Sequence, residues 1–260
     1  MLKHEKTITI CNHHADIRGT LGVKTLCDLF NDVANEQTTA LGVDVDTFNA
    51  AGITWMLHRI RLLLPRLPAR GQQITIATWP SGADRLFAFR DFAVRDTSGE
   101  LLVRATSEWM VIDLHRRRPV RLPASVLAMA ATHEGVTREL GFTLSPKGDT
   151  TAPLSTATTG RRRFVASYDT IDFNRHVTQA SYVGWVAHAL PFDFLNTHLL
   201  EEMEVLYERE ILPDSEVHSI YRLEERDEKT HISHQVTDTT EQQTHCIARS
   251  VWRRFPANPA

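Results

Sequence analysis

From Ser167 to Pro191 the chain reads S-Y-D-T-I-D-F-N-R-H-V-T-Q-A-S-Y-V-G-W-V-A-H-A-L-P. Asp172, Asn174 and His176 alternate with apolar or basic residues, and a spacing of two places their side chains on one side of an extended segment. A helix is expected directly behind them, with its unpaired N–H groups and positive dipole end aimed at the same place. A carboxylate, an amide and an imidazole gathered there suit chemistry on a carbonyl, where a base and oxyanion donors are needed. The same residues have a plainer explanation. Asp and Asn favour turns and caps, and Asn174 would simply cap a helix starting near His176.

Other chemistries lack their residues. No G-x-S-x-G elbow, P-loop or G-x-G-x-x-G is present, so an α/β-type serine hydrolase or a nucleotide cofactor has no visible cradle. Neither H-E-x-x-H nor a paired C-x-x-C occurs, and His13, His14 and Asp16 read as surface rather than as metal ligands. No cofactor and no metal are expected.

At 260 residues with 42 % hydrophobic and 23 % charged content, the chain has the make-up of a water-soluble globular protein. Its net charge of −3 argues against nucleic acid or anionic lipid as partners. No apolar run has bilayer-crossing length, and the start M-L-K-H-E-K shows no secretory h-region. Cys11, Cys27 and Cys246 are few and scattered, which suits a reducing cytoplasm.

The elements that must position the polar cluster follow from periodicity. A strand is expected over residues 6–11, and a helix over Val23–Leu41 with its buried stripe at Leu26, Leu29, Phe30, Val33, Gln37, Ala40 and Leu41. Gly42 suits a left-handed C-terminal cap. Four strands follow: 53–64, ended by Pro65 and Pro68, then 73–79, 86–95 and 101–113. Residues 115–160 lose all periodicity and read as a linker, with one short helix near 125–132. The order then returns: a strand over 163–168, a helix over 177–190 ended by Pro191, and strands near 203–210, 216–224, 230–238 and 244–253. V-R-D-T at Val94–Thr97 is echoed by V-T-D-T at Val236–Thr239, and A-T-S-E-W at Ala105–Trp109 by A-R-S-V-W at Ala248–Trp252. An internal duplication is expected. Its two sheets would be able to join edge to edge, covering strands otherwise open to aggregation.

With these residues assembled, nearly the whole chain resembles the double-hotdog acyl-ACP thioesterases. D-F-N-R-H-V-T-Q-A-S-Y-V-G-W-V is similar to the family's D-x-N-x-H-V-N-N-x-x-Y-I-G-W. The stretch T-W-P-S-G-A-D-R-L-F-A-F-R-D-F-A-V-R-D and L-Y-E-R-E-I-L-P-D-S are similar to two further segments of it. The resemblance implies an α+β tandem hotdog, two helix-wrapped antiparallel sheets joined into one continuous sheet. It places an acyl-binding domain at 1–122, a linker at 123–159 and a catalytic domain at 160–260. Asp172, Asn174, His176 and Glu210 take the family's catalytic positions. Ile211 stands where plant members carry a cysteine, so no mechanism through that thiol applies. Thr178 and Gln179 replace the paired asparagines.

The implied reaction is hydrolysis of an acyl thioester on acyl carrier protein, releasing fatty acid. Glu210 or Asp172 would activate water, Asn174 would hold that water or the carboxylate, and His176 would polarise the substrate or protonate the thiolate; attack by Asp172 itself is the competing route. The acyl chain is expected along the first half, against the Val23–Leu41 helix, Trp55 and Met56. An Arg-rich segment, Arg116–Arg118 with Arg121 or Arg161–Arg163, would dock the acidic carrier. The protein is expected as a monomer or homodimer. An acyl-CoA thioesterase, a hotdog hydratase or dehydratase and a non-catalytic acyl-binding module are the rival readings.

Overall fold

The computed structural model describes residues 3–131, 140–144 and 158–255. Its chain divides into two compact units, Met1–Gly141 and Phe142–Ala260.

In the first unit, strand β1 (His4–Thr9) leads through a 3-10 turn to helix α1 (Val23–Ala40) and the short α2 (Val45–Ala50). Strands β2 (Ile53–Leu63), β3 (Gln73–Ala83), β4 (Ala88–Asp96) and β5 (Leu101–Asp113) follow, then β6 (Arg118–Val120) and α3 (Ala124–Ala131). The sheet is antiparallel in the order β1-β3-β4-β5-β2, with β6 on β5. Helix α1 lies on it through Leu26, Cys27, Phe30, Val33, Ala34 and Gln37, all buried at three-and-four spacing. Phe30 stacks on Phe92 of β4 with centroids 4.5 Å apart. The stripe therefore differs from the expected one at Leu29, Ala40 and Leu41, none of which is buried. Leu41 is already the C-cap residue, and Gly42 at φ 66° closes the helix in the left-handed region.

The second unit repeats this plan: β7 (Thr158–Val165), a 3-10 turn at Tyr168–Thr170, α4 (Gln179–His188), the short α5 (Phe192–Thr197), then β8 (His198–Tyr207), β9 (Glu216–Arg226), β10 (Lys229–Asp238) and β11 (Thr244–Arg254). Its sheet order is β7-β9-β10-β11-β8, the topology of the first half strand for strand. The sequence echoes are structural echoes. Trp109 Nε1 donates to Ser107 Oγ at 2.8 Å, and Trp252 Nε1 donates to Ser250 Oγ at 2.7 Å. Asp96 and Asp238 each close a hairpin by accepting backbone N–H groups of the turn, an Asx arrangement.

Several expectations need correction. Strand β7 begins at Thr158, inside the stretch read as linker, because only Gly160 and Phe164 are even partly buried in it and no alternation shows. Pro191 does not merely end a helix; it is the N-cap residue of α5. The expected helix at 177–190 is shorter, Gln179–His188. Asn174 does not cap it. Thr178 does, its Oγ1 accepting from Ser181 N at 3.1 Å. The rest of the expected linker, beyond α3 and residues 140–144, lies outside the described residues.

Among the described residues, the buried charged side chains include Arg90, Asp91, Glu108 and Glu204. Glu108 of β5 is 3 % exposed and accepts from His58 Nδ1 at 2.8 Å and Arg59 Nε at 2.8 Å. Burial pushes its carboxyl up, but the His58 and Arg59 contacts outweigh this and hold it below the ordinary glutamate value. A depressed folded-state pKa contributes stability that is complete above the unfolded-state value of about 4.3 and is lost as pH falls through the lower folded value. Glu108→Ala is expected to destabilise by about 3–5 kcal/mol, since it removes the buried carboxylate that Arg59 and His58 both contact. The melting temperature at pH 7 against pH 4 should fall less in the variant than in the parent.

Candidate functional site

The polar cluster is not extended. Ile171 and Val177 form an isolated antiparallel bridge, and Asp172 N donates to His176 O at 2.9 Å, so residues 171–177 fold back as a closed loop. Asp172 builds that loop, its Oδ1 accepting from Asn174 N at 2.8 Å and His176 N at 3.3 Å. Alternation in the sequence suggested a strand, but a short carboxylate that bonds its own backbone two and four residues on makes a turn instead. Arg175 supports the turn at φ 65°.

A second segment closes on this loop. Val177 N donates to Ile211 O at 3.0 Å, and Ala166 N to Ser215 O at 2.9 Å, tying residues 166–178 to residues 209–215. The register brings Glu210 to the loop: His176 Nε2 lies 3.0 Å from Glu210 Oε2, with side chains 28 % and 41 % exposed. Asp172 and His176 are half-buried and Asn174 is exposed. All four expected site residues thus fall on two hydrogen-bonded segments.

Three groups that the sequence reading missed hold this arrangement. Tyr182 Oη donates to Arg209 O at 3.1 Å and Tyr207 Oη to Gln179 O at 3.1 Å, fixing α4 against the end of β8. Burial, above all, raises the Tyr182 phenol well above its ordinary value, so it is a donor at any physiological pH. His245 Nδ1 lies 3.1 Å from Glu210 O, and burial lowers the His245 imidazole. A neutral ring donates there to the carbonyl. Tyr182 sits inside the motif and was visible; His245 lies 35 residues from Glu210 and carries no local signal.

The first half holds the same loop. Asp16 N donates to Thr20 O at 2.8 Å, and Ala15 bridges Leu21. Asp16 Oδ1 accepts from Arg18 N at 2.9 Å and Thr20 N at 3.2 Å. Leu21 N donates to Pro68 O at 2.8 Å, as Val177 N does to Ile211 O. Position by position, Asp16 matches Asp172, Arg18 matches Asn174, Thr20 matches His176 and Leu67 matches Glu210. The loop frame is kept in both halves; the imidazole and the second carboxylate occur in the second alone. In the first, Arg18 donates Nε and Nη2 to Asp16 Oδ2 at 3.0 and 2.6 Å and neutralises it.

The first half offers a pocket instead, of about 520 Å³ counted out to its open mouth. Asn31, Ala34, Asn35 and Thr38 of α1 line it with Trp55 of β2 and Met129 of α3. Met56, also expected there, is not among the lining residues. Arg90 reaches its wall, buried, with Nη1 donating to Gln37 Oε1 at 2.5 Å and Thr78 Oγ1 at 3.0 Å. Burial lowers its guanidinium to about 10, still a cation at neutral pH.

Of the two basic clusters, Arg161–Arg163 is engaged: Arg161 pairs with Glu241, Arg163 with Glu216, and Arg162 donates to His188 O. Among the described residues no group of three or more His, Cys, Asp or Glu side chains is placed to hold a metal ion. No helix among them is long and apolar enough to cross a membrane.

Comparison with known proteins agrees in both halves. The sequence model of the acyl-ACP thioesterase N-terminal domain matches residues 1–130, and that of the C-terminal domain matches residues 155–254. An acyl-[acyl-carrier-protein] hydrolase FATB1 of Cuphea viscosissima is 27 % identical over 77 % of this chain and 49 % of its own length. An oleoyl-acyl carrier protein thioesterase of Coriandrum sativum is 27 % identical over 83 % of this chain and 61 % of its own. The chain therefore spans about half to three fifths of these relatives. A crystal structure of a provisionally named oleoyl thioesterase from Lactobacillus plantarum matches with TM-score 0.87 at 26 % identity, covering 98 % of this chain and 97 % of that one. The 12:0-ACP thioesterase of Umbellularia californica matches in fold with TM-score 0.81 at 20 % identity, covering 98 % of both chains. With both halves matched by its domain models, the chain belongs to the acyl-ACP thioesterase family.

Proposed function

We propose that the protein is an acyl-[acyl carrier protein] thioesterase that releases free fatty acid, as the names of its relatives describe for them. The observation that carries the reading is the 3.0 Å approach of Glu210 to His176 in the half whose loop has kept its chemistry. In this mechanism Glu210 holds the imidazole through Nε2–H and takes a proton from water as the water oxygen bonds the thioester carbon. The oxyanion is met by neutral donors, with the Asn174 amide as one. Collapse of the tetrahedral species breaks the C–S bond, and the protonated Glu210 gives its proton to the departing thiolate while His176 Nε2–H continues to hold the carboxyl group. Asp172 holds the loop through Oδ1. General-base assistance of this kind is worth about 10²–10⁴ in rate.

The acyl chain would occupy the first-half pocket, the division of labour in which the first domain binds and the second reacts. Ala34→Phe adds a ring to the pocket wall and is expected to shift the released acids towards shorter chains, read by gas chromatography of the product mixture. The reaction itself is tested by following thiol release from a panel of acyl-carrier and acyl-CoA substrates. Release from the carrier substrates is the expected result. An enoyl absorbance change without free thiol would instead indicate a hydratase.

A further inference from the structure

Among the described residues, six other than glycine have positive φ: Arg117, Arg175, Asp214, Asp227, Glu228 and Glu241. Arg117, Asp227, Glu228 and Glu241 lie in the turns between β5 and β6, β9 and β10, and β10 and β11. The other two belong to the segments that carry the site, and each stands where the first half has glycine, as does Glu241, which replaces Gly99 and whose carboxylate is used in an ion pair with Arg161. Asp214 at φ 62° replaces Gly71 at φ 83°, and aspartate tolerates this region. Arg175 at φ 65° replaces Gly19 at φ 73°. A long side chain there is strained where glycine is not, and strain of this kind persists where a side chain is used.

Arg175 is exposed, and no carboxylate, carbonyl or ring among the described residues engages its guanidinium. Its neighbour His176 is half-buried in contact with Glu210. Arg209, preceding Glu210 on the adjoining segment, is exposed, and its charge acts on the nearby His245 imidazole. Two solvated arginines thus adjoin the reacting pair along the chain, Arg175 before His176 and Arg209 before Glu210. Arginine suits a phosphate by offering parallel N–H groups.

We propose that Arg175 is a substrate-binding residue that receives the phosphate of the phosphopantetheine arm, with Arg209 as a second cation beside it. This rests on the thioesterase reading. An extended arm keeps the phosphate well away from the thioester, so the residue that reads it must sit on the rim rather than in the cleft. Arg175 meets that condition. The ligand chemistry is shared by carrier protein and coenzyme A, because both present the same arm through a phosphate.

The test is Arg175→Gly, which installs the first half's own residue and relieves the backbone strain. Thiol release is measured with an acyl-carrier protein, the matching acyl-CoA, and an S-acyl-N-acetylcysteamine that has no phosphate. We expect kcat/KM on both phosphate-bearing substrates to fall about tenfold relative to the N-acetylcysteamine thioester, chiefly through KM. A melting temperature no lower than the parent's shows that the loop still folds. Equal losses on all three substrates, or no loss, would overturn the assignment. A loss confined to the carrier protein would overturn it in favour of contact with an acidic protein surface. Absence of thiol release by the unsubstituted protein would overturn the thioesterase reading, and this inference with it.

Discussion

Glu210→Gln is expected to cut thioester hydrolysis by about 10²–10⁴ while leaving the melting temperature nearly unchanged. The amide keeps the size of the carboxylate and an oxygen to face His176 Nε2, now 3.0 Å away, but cannot take a proton from water. Folding is insulated from the change because the Glu210 side chain is 41 % exposed and its main-chain carbonyl, not its carboxylate, faces His245. His176→Ala should fall by a similar factor, and the double variant by little more than either alone, since the two act as a unit. Steady-state rates on one acyl-carrier substrate decide this. Full additivity of the two losses would show that the residues work independently and would remove the pair from the mechanism.

Asp172→Ala is expected to abolish most of the activity, by about 10² or more, and Asp16→Ala to lower stability while leaving turnover within a few-fold of the parent. The two substitutions remove the same acceptor from the same loop. Asp172 Oδ1 anchors the amides of Asn174 and His176, and Asp16 Oδ1 those of Arg18 and Thr20. Only in the second half does the loop carry an imidazole facing a carboxylate. The first half is therefore an internal control for the frame, and thermal melts with rates on both variants read the comparison directly. Asp172→Asn keeps the acceptor and removes the charge, so its residual rate divides framing from proton chemistry. Turnover lost equally in Asp16→Ala and Asp172→Ala would contradict the division between the halves.

The large elements were legible because each buries a periodic face. Helix α1 shows Leu26, Phe30, Val33 and Gln37 at helical spacing, and the long strands end where Pro65 or Asp96 forbids continuation. The duplication was legible too, from two short echoes whose Asp and Ser–Trp pairs make the same bonds in both halves. What failed was short or solvated. Strand β7 buries too little to alternate, β6 is three residues long, and α2 and α5 are six each.

For the site, residue types alone pointed to Asp172, Asn174 and His176, and a motif resemblance supplied Glu210. Their arrangement was misread, since period-two spacing is shared by a strand and by a turn in which an aspartate binds its own backbone. Long-range hydrogen bonding decided between them, through Val177 N to Ile211 O and Ala166 N to Ser215 O. The same register set His176 beside Glu210, 34 residues away along the chain, and brought His245 behind it. A sequence records which groups are present, and local order follows from them. Which groups meet depends on strand register, and register is fixed only when distant segments pair.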